Sequence, residues 1–335
     1  MRILGGLLLF VFFVASSVSS YAAETPTTSA FVADQASTVA YPERHAPVYQ
    51  KIATLHTLDG FVNLGDWDHR FPDHDTPSIE AFERMWTDVT TCQTVAGCDW
   101  ATWIGPSVPN ILVTWDDHNS WGDNTDRFHP EVNNARTVFK QVWPDTYPNP
   151  GIERDRVIGR VHVILPDTRS YRDRNSKANG PTKTMLGPVQ KSWLISRVAA
   201  STSPWIVIVS SIPWHDGKCG TKPDSWCGFT NEQQSIVTAL SPYCQNKRCI
   251  VVSGDVHYGG AIDNGTCTPG SYPEVSTPHI NMKSGVNLGK MPCWSEGVDS
   301  GKIGGGYTLL TATDTTLLIE TRGLNGKVRR SLSLP

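Results

Sequence analysis

The sequence predicts an α/β fold, and three observations carry that reading. Segments of helical period alternate with short β-rich runs along the chain. Several of those runs are apolar almost throughout, as buried strands are. Three of them end in carboxylates and imidazoles, and the carboxyl ends of strands are where open α/β sheets place their ligands.

Met1 and Arg2 precede an apolar run from Ile3 to about Val14, followed by Ala15-Ser16-Ser17-Val18-Ser19-Ser20 and Tyr21-Ala22-Ala23. A charged start, a short apolar core and a small-residue exit predict a signal peptide over residues 1–23, cleaved between Ser20 and Ala23, and hence a secreted, extracellular protein. The run is too short to favour a spanning helix, and no later stretch approaches membrane-spanning length. Residues 24–335, about 310 in number, show no repeat and no convincing linker and are read as a single domain. The net charge of -3 and the lack of a basic block give no case for nucleic-acid binding. Eight cysteines fall as neighbours: Cys92 with Cys98, Cys219 with Cys227, Cys244 with Cys249, and Cys267 with Cys293. With a signal peptide they read as disulfides; sequential pairing is the simplest of many connectivities, and no Cys-x-x-Cys pair suggests zinc. Asn264-Gly265-Thr266 is a glycosylation sequon, expected on a surface loop.

In chain order, a strand is expected around Ser29 to Ala33 and a helix over His45 to Leu55, with Val48, Ile52 and Leu55 on one face. Phe61 to Leu64 reads as a short buried strand ended by Gly65-Asp66, with His69 three residues beyond Asp66. Ile79 to Val89 reads as a helix with Phe82, Met85 and Trp86 inward. Ile111 to Trp115 is the next strand; Asp116-Asp117-His118 ends it and a polar loop to Asn124 follows. Glu131 to Val142 is helical, and Val157 to Leu165 alternates as one strand before Asp167-Thr168-Arg169-Ser170-Tyr171-Arg172. A helix over Gly187 to Ala199 leads to a strand at Trp205 to Ile212, and His215 follows in a Pro-Trp-His-Asp-Gly turn. Asn231 to Leu240 is helical, and Ile250 to Ser253 is a buried strand ending in Gly254-Asp255-Val256-His257. Residues 264–302 read as loop-rich. Tyr307 to Ala312, Thr315 to Thr321 and Val328 to Leu332 alternate like antiparallel strands, with Asn325-Gly326 supplying the last turn.

Asp66 with His69, Asp117 with His118, and Asp255 with His257 thus stand at three strand ends, which meet on one edge if the sheet is mostly parallel. Singly, each is an ordinary turn or a strand alternation. Together they point to a cation, because clustered carboxylates repel and resist desolvation until one is bound. Asp and His suit zinc, iron or manganese, with calcium or magnesium where oxygen dominates.

The stretches Gly65-Asp66, Trp115-Asp116-Asp117-His118 and Ser253-Gly254-Asp255-Val256-His257 resemble the motifs of the PhoD-like alkaline phosphatase/phosphodiesterase family, within the calcineurin-like metallophosphoesterases. Asp167 to Arg172 and Leu186 to Leu194 resemble it too, in the same order, so that the likeness spans about residues 45 to 320. The resemblance implies a four-layer α/β/β/α sandwich and a two-metal site. In it Asp66 bridges both ions, Asp117 binds one, and Asp255 and His257 complete the shell. His69 stands where the family often has Tyr, and Asn119 where it commonly has Glu or Asp. The first strand lacks the family's Ser-Cys or Asp-x-His motif; Asp34 is the obvious substitute.

The expected reaction is hydrolysis of a phosphate ester, in a small molecule or a lipid, by a metal-activated water. His118 would stabilise the transition state or protonate the leaving oxygen, with Asp116 in support. Arg169 would fork onto the phosphate or pair with Asp167, and Asn124 would help to hold metal or substrate. Two other readings remain: a catalytically weakened binding protein of the same fold, and a glycosidase using paired carboxylates. A serine hydrolase is disfavoured, as no Gly-x-Ser-x-Gly occurs.

Overall fold

Alternation along the strands sorts side chains to two faces, and that sorting builds the molecule. The computed structural model describes residues 25–35, 48–69, 76–91, 100–215, 224–255, 257, 260–280 and 305–335. The expected signal peptide and Cys92, Cys98, Cys219 and Cys293 lie outside the described residues. The elements are β1 (Thr27–Val32), α1 (Val48–Leu55), β2 (Gly60–Asn63), α2 (Ile79–Thr91), α3 (Trp100–Trp103), β3 (Asn110–Val113), α4 (Asp117–Ser120), α5 (Val132–Val142), β4 (Arg154–Ile158) and β5 (Val161–Leu165). They continue with α6 (Gly187–Ala200), β6 (Trp205–Ser210), α7 (Thr230–Leu240), β7 (Cys249–Ser253), β8 (Ala261–Asp263), β9 (Glu274–Ser276), β10 (Gly306–Ala312), β11 (Leu317–Gly323) and β12 (Val328–Leu334).

The fold is mixed α/β, with two six-stranded mixed sheets in the orders β12-β11-β10-β1-β2-β3 and β4-β5-β6-β7-β9-β8. The expected antiparallel strands are present: β10, β11 and β12 form a meander, and β10 also pairs antiparallel with β1. β1, β2 and β3 are parallel, as are β5, β6, β7 and β9. Phe31, Val62 and Leu112 of the first sheet share one core with Val163, Val207 and Val252 of the second. Their strand neighbours Val32, Phe61 and Val113 face the other way, onto Ile52, Phe82, Trp86 and Phe139 of the helices. On the second sheet, Ile164, Ile208 and Val251 pack against Leu194 and Ile236. Each such side chain, taken wholly from water, contributes about 1.5–3 kcal/mol.

Four expectations need correction. The run from Val157 to Leu165 is not one strand but an antiparallel hairpin of β4 and β5. Gly159 turns it at φ +52°, and a Cβ there would lie 2.1 Å from Thr27 Oγ1. The loop-rich region conceals the three-residue strand β9, and the polar stretch after Trp115 opens with the single helical turn α4. The three strand ends also do not share the edge of one sheet. β2 and β3 belong to the first sheet and β7 to the second, and the site forms where the carboxyl ends of the two meet. One tie between them is the backbone of Ile280, which donates to the Ala33 carbonyl at 3.0 Å.

Candidate metal centre

β2 hands its acidic residue to β3 through a turn that admits glycine alone. Asn63 Oδ1 accepts Gly65 N at 2.9 Å, closing the turn. Gly65 has φ +108°, and a Cβ there would lie 2.5 Å from Asp116 N. That closeness sets Asp66 beside Asp116. Buried Trp67 anchors the loop: Asn119 Oδ1 accepts its backbone N–H at 2.8 Å, and its indole N–H donates to Tyr49 Oη. Asn119, where a carboxylate was expected by resemblance, therefore ties this loop to α4. The anchored loop delivers His69, whose Nδ1 lies 2.9 Å from the Gln35 carbonyl. That contact assigns the proton to Nδ1 and leaves the Nε2 lone pair free to bind a cation. Tyr49 donates to Gln35 Oε1 at 2.7 Å, which steadies the residue that orients His69.

Asp117 opens α4. Its Oδ1 accepts His118 N at 2.9 Å and its Oδ2 accepts Asn124 N at 2.8 Å. The His118 ring lies over that of His69, centroids 4.3 Å apart, and is partly exposed. Its Nε2 is 4.0 Å from Asp117 Oδ1 and 3.9 Å from Asp123 Oδ1. After β7, Asp255 donates its backbone N–H to Asp34 Oδ1 at 3.0 Å. His257 Nε2 lies 3.3 Å from His69 Nε2 and 4.0 Å from Asp66 Oδ2. Asp34, Asp66, Asn124, Asp255 and His257 all have positive φ; only three other described non-glycine residues do. Such strained backbone gathers where a surrounding structure over-determines a site.

Three sets of side chains bring ligand atoms within 4.8 Å of one another: Asp66, His69 and His257; Asp66, Asp117 and His118; and Asp66, Asp116, Asp117 and Asp255. Asp66 belongs to all three. Asp34 belongs to none, although it lies buried at the end of β1 beside them.

Burial acts to raise the pKa of Asp66, but the imidazoles of His69, His257 and His118 outweigh it and hold the carboxyl well below the usual range. Burial lowers the pKa of His257, which favours the neutral, ligating imidazole. Asp34 is pushed well up by burial and then by the charges of Asp66 and Asp255. Asp116 is also pushed well up, by burial first and then by the neighbouring carboxylates, against the pull of Arg169. Asp117 rises for the same reasons, less strongly. The buried oxygens Asp34 Oδ2, Asp66 Oδ2 and Asp116 Oδ2 accept no hydrogen bond from a described residue. Orphaned carboxylate oxygens and imidazole nitrogens are the donor set of a hard-to-borderline cation, and the residues fit one.

Two expectations change. The Arg169 side chain does not pair with Asp167. Its guanidinium is fully buried: Nε donates to Asp116 Oδ1, Nη1 to Asp224 Oδ1 at 2.9 Å and Nη2 to Asp224 Oδ2 at 3.1 Å, with Asp117 Oδ2 3.6 Å from Nη2. Asp167 instead accepts the Arg169 backbone N–H at 3.1 Å. Asn124 holds Asp117 through its backbone, while its exposed side chain donates to Asp123 Oδ2 at 2.6 Å. Gln35, Ser211 and Asp224 were not anticipated. Ser211 donates to Asp116 Oδ1 at 3.0 Å. Adjacency to Asp34 was the one signal for Gln35; Asp224, far along the chain from its partners, left none.

A family model described as PhoD-like phosphatase matches residues 107–284, which include Asp116, Asp117, His118, Asn124, Arg169, Asp255 and His257; Asp66 and His69 precede it. A solved structure described as PhoD is 20% identical and aligns with a TM-score of 0.70, covering 93% of this chain and 70% of that one. At that identity it speaks for the fold alone. GAP50, described as the anchor in the inner membrane complex of Plasmodium, aligns at 11% identity with a TM-score of 0.49, over 93% of this chain and 89% of its own. No curated protein matches the chain. The family match takes in more than half of the sequence, and the chain belongs to the PhoD-like phosphatase family.

Proposed function

We propose that this protein is a secreted, metal-dependent phosphoric ester hydrolase holding two di- or trivalent ions, from among iron, calcium, zinc, manganese and magnesium. The observation that carries the reading is Asp66, shared by three convergent ligand sets with its Oδ2 flanked by two imidazoles. Asp66 would help to hold both ions, which accounts for that sharing. His69 and His257 would serve one ion, with Asp117 and Asp255 for the other. The four-layer α/β/β/α arrangement belongs to the same reading and is supported by the apolar core between the sheets and the helix-facing cores outside them.

When bound, the ions supply Lewis-acid polarisation of the ester and lower the pKa of a water. The chain's residues do the rest. The Gln35 carbonyl holds His69 in its ligating tautomer. His118, partly exposed at the rim, is placed to hand a proton to the leaving oxygen, with Asp117 and Asp123 near its Nε2 to hold that proton. Arg169 acts on Asp116 and Asp117 and leaves the phosphate to the ions and to solvent-facing groups. The substrate is a phosphate monoester or diester, in a small molecule or a lipid; among the described residues no helix is long and apolar enough to cross a membrane.

Secretion is supported by the N-terminal sequence, by the Cys244–Cys249 disulfide and by Cys227 and Cys267, which are also disulfide-bonded. Exposed Asn264 suits glycosylation. Asp255→Asn and His118→Ala are each expected to remove most hydrolysis of p-nitrophenyl and bis-p-nitrophenyl phosphate. Near wild-type turnover by Asp255→Asn would overturn the metal assignment, and activity surviving exhaustive chelation would favour the glycosidase reading. A binding protein without turnover is the second reading, favoured by Asp34 lying outside every ligand set. Elemental analysis giving one metal or none, with no esterase activity, would select it.

A further inference from the structure

We infer that Asp224 is a positioning residue for the metal centre: it grips Arg169 so that the guanidinium holds Asp116 and Asp117 in place without drawing their charge away from a cation. The inference rests on the metal-centre reading above. Arg169 is one positive charge, wholly buried, among three carboxylates. Asp224, which belongs to none of the ligand sets, meets it with both oxygens, Oδ1 to Nη1 at 2.9 Å and Oδ2 to Nη2 at 3.1 Å. That bidentate pairing fixes the plane of the guanidinium, and hence the direction in which Nε meets Asp116.

Asp224 is itself fixed. Its Oδ1 is 2.9 Å from Arg172 Nη2, which also donates to the Asp224 carbonyl at 3.0 Å. Asn175 Nδ2 donates to the same Oδ1 at 3.3 Å. Arg172 is likewise wholly buried. Burial favours a neutral Asp224, but Arg169 and then Arg172 overcome it and hold the carboxyl well below the usual range, so it is charged at neutral pH.

The charge balance gives Asp224 its second effect. With it present, the charge of Arg169 is shared between Asp224 and the carboxylates of the site. Without it, Arg169 has only Asp116 and Asp117 left as ionic partners and turns its whole charge on them, 3.6 Å from Asp117 Oδ2, where it competes with any cation seeking that oxygen.

The test uses Asp224→Asn, which keeps the shape and removes the charge. The chelator-stripped full chain is titrated with Mn2+ alone and followed by electron paramagnetic resonance; bis-p-nitrophenyl phosphate turnover is then measured across Mn2+ concentrations. The expected result is a tenfold or greater loss of Mn2+ affinity, with kcat recovering to within about threefold at saturating Mn2+ and KM for the ester little changed. A merely structural role would lower the melting temperature and leave Mn2+ affinity alone. Should Asp224→Asn not fold, Asp224→Glu keeps the charge and moves the carboxylate by one methylene; its Mn2+ affinity is then expected to fall at least threefold. Wild-type affinity in a folded Asp224→Asn, or in Asp224→Glu where that variant decides, overturns the inference. Failure of the wild-type chain to bind Mn2+, Zn2+ or Fe2+ would instead overturn the metal centre itself.

Discussion

At the scale of single residues, the site depends on positions that carry no chemistry. Gly65 is one: its φ of +108° alone would cost a side chain about 1–3 kcal/mol, and a Cβ would press on Asp116 N besides. Gly65→Ala is expected to lower the melting temperature by roughly 5 °C and to cut phosphodiester turnover by more than tenfold. Turnover unchanged in a folded variant would show that the approach of Asp66 to Asp116 is not needed. Glu153 is another. It is fully buried, accepts the Tyr171 hydroxyl at 3.1 Å, and has its pKa pushed up to about 7 by burial first and Asp167 second. The folded pKa exceeds the unfolded one, so the folded state binds the proton more tightly. The stabilisation is complete below about pH 4.5 and is lost as pH rises towards about 7. Glu153→Gln is expected to gain on the order of 2–3 kcal/mol relative to wild type between pH 5 and pH 8 in urea titrations; an equal difference at both pH values would count against it. The acid and imidazole residues were legible in the sequence because each follows directly on a buried strand. Gln35, Ser211 and Asp224 were not, since they act on residues far off in sequence and bear no pattern of their own. The fate of Arg169 was likewise illegible, since its main partner Asp224 is 55 residues away.

At the scale of elements, periodicity located the longer helices and the buried strands to within a few residues. It failed where tertiary context took over. The β4–β5 hairpin hides inside a continuous alternation broken only by Gly159 and Arg160, and β9 is too short to show a period. One local device is testable at this scale. The Cys244–Cys249 disulfide, with Cα atoms 5.0 Å apart, joins the end of the α7 region to the first residue of β7, the strand that leads to Asp255. Closing so short a loop restricts the unfolded chain by about 2 kcal/mol. Replacing both cysteines by serine is expected to lower stability by about that much in urea unfolding, and no loss would mean that β7 is held by its neighbours alone.

At the scale of the whole molecule, the proposed metal centre lies where the two sheets meet, so its occupancy should register in global stability. Stripping with chelator is expected to lower the melting temperature. Mn2+ or Zn2+ at a hundredfold excess over Kd should return about 3 kcal/mol, and Na+ none; melting indifferent to stripping would argue against a resident ion. That the ends of β2, β3 and β7 would gather was readable from the sequence; that two sheets supply them was implied by resemblance and not by the pattern itself. The place of β1 has a consequence for how the protein comes to exist. It lies between β2, close to it in sequence, and β10, more than 270 residues later, and it carries Asp34 and Gln35 to the site. On a ribosome the two partners emerge on the order of tens of seconds apart, and until the second arrives one edge of β1 stays open. Were the chain secreted, as proposed, and β1 still half-paired on crossing the membrane, Asp34 and Gln35 would settle beside the site only afterwards, and the ions bound there would come from the compartment the chain reaches.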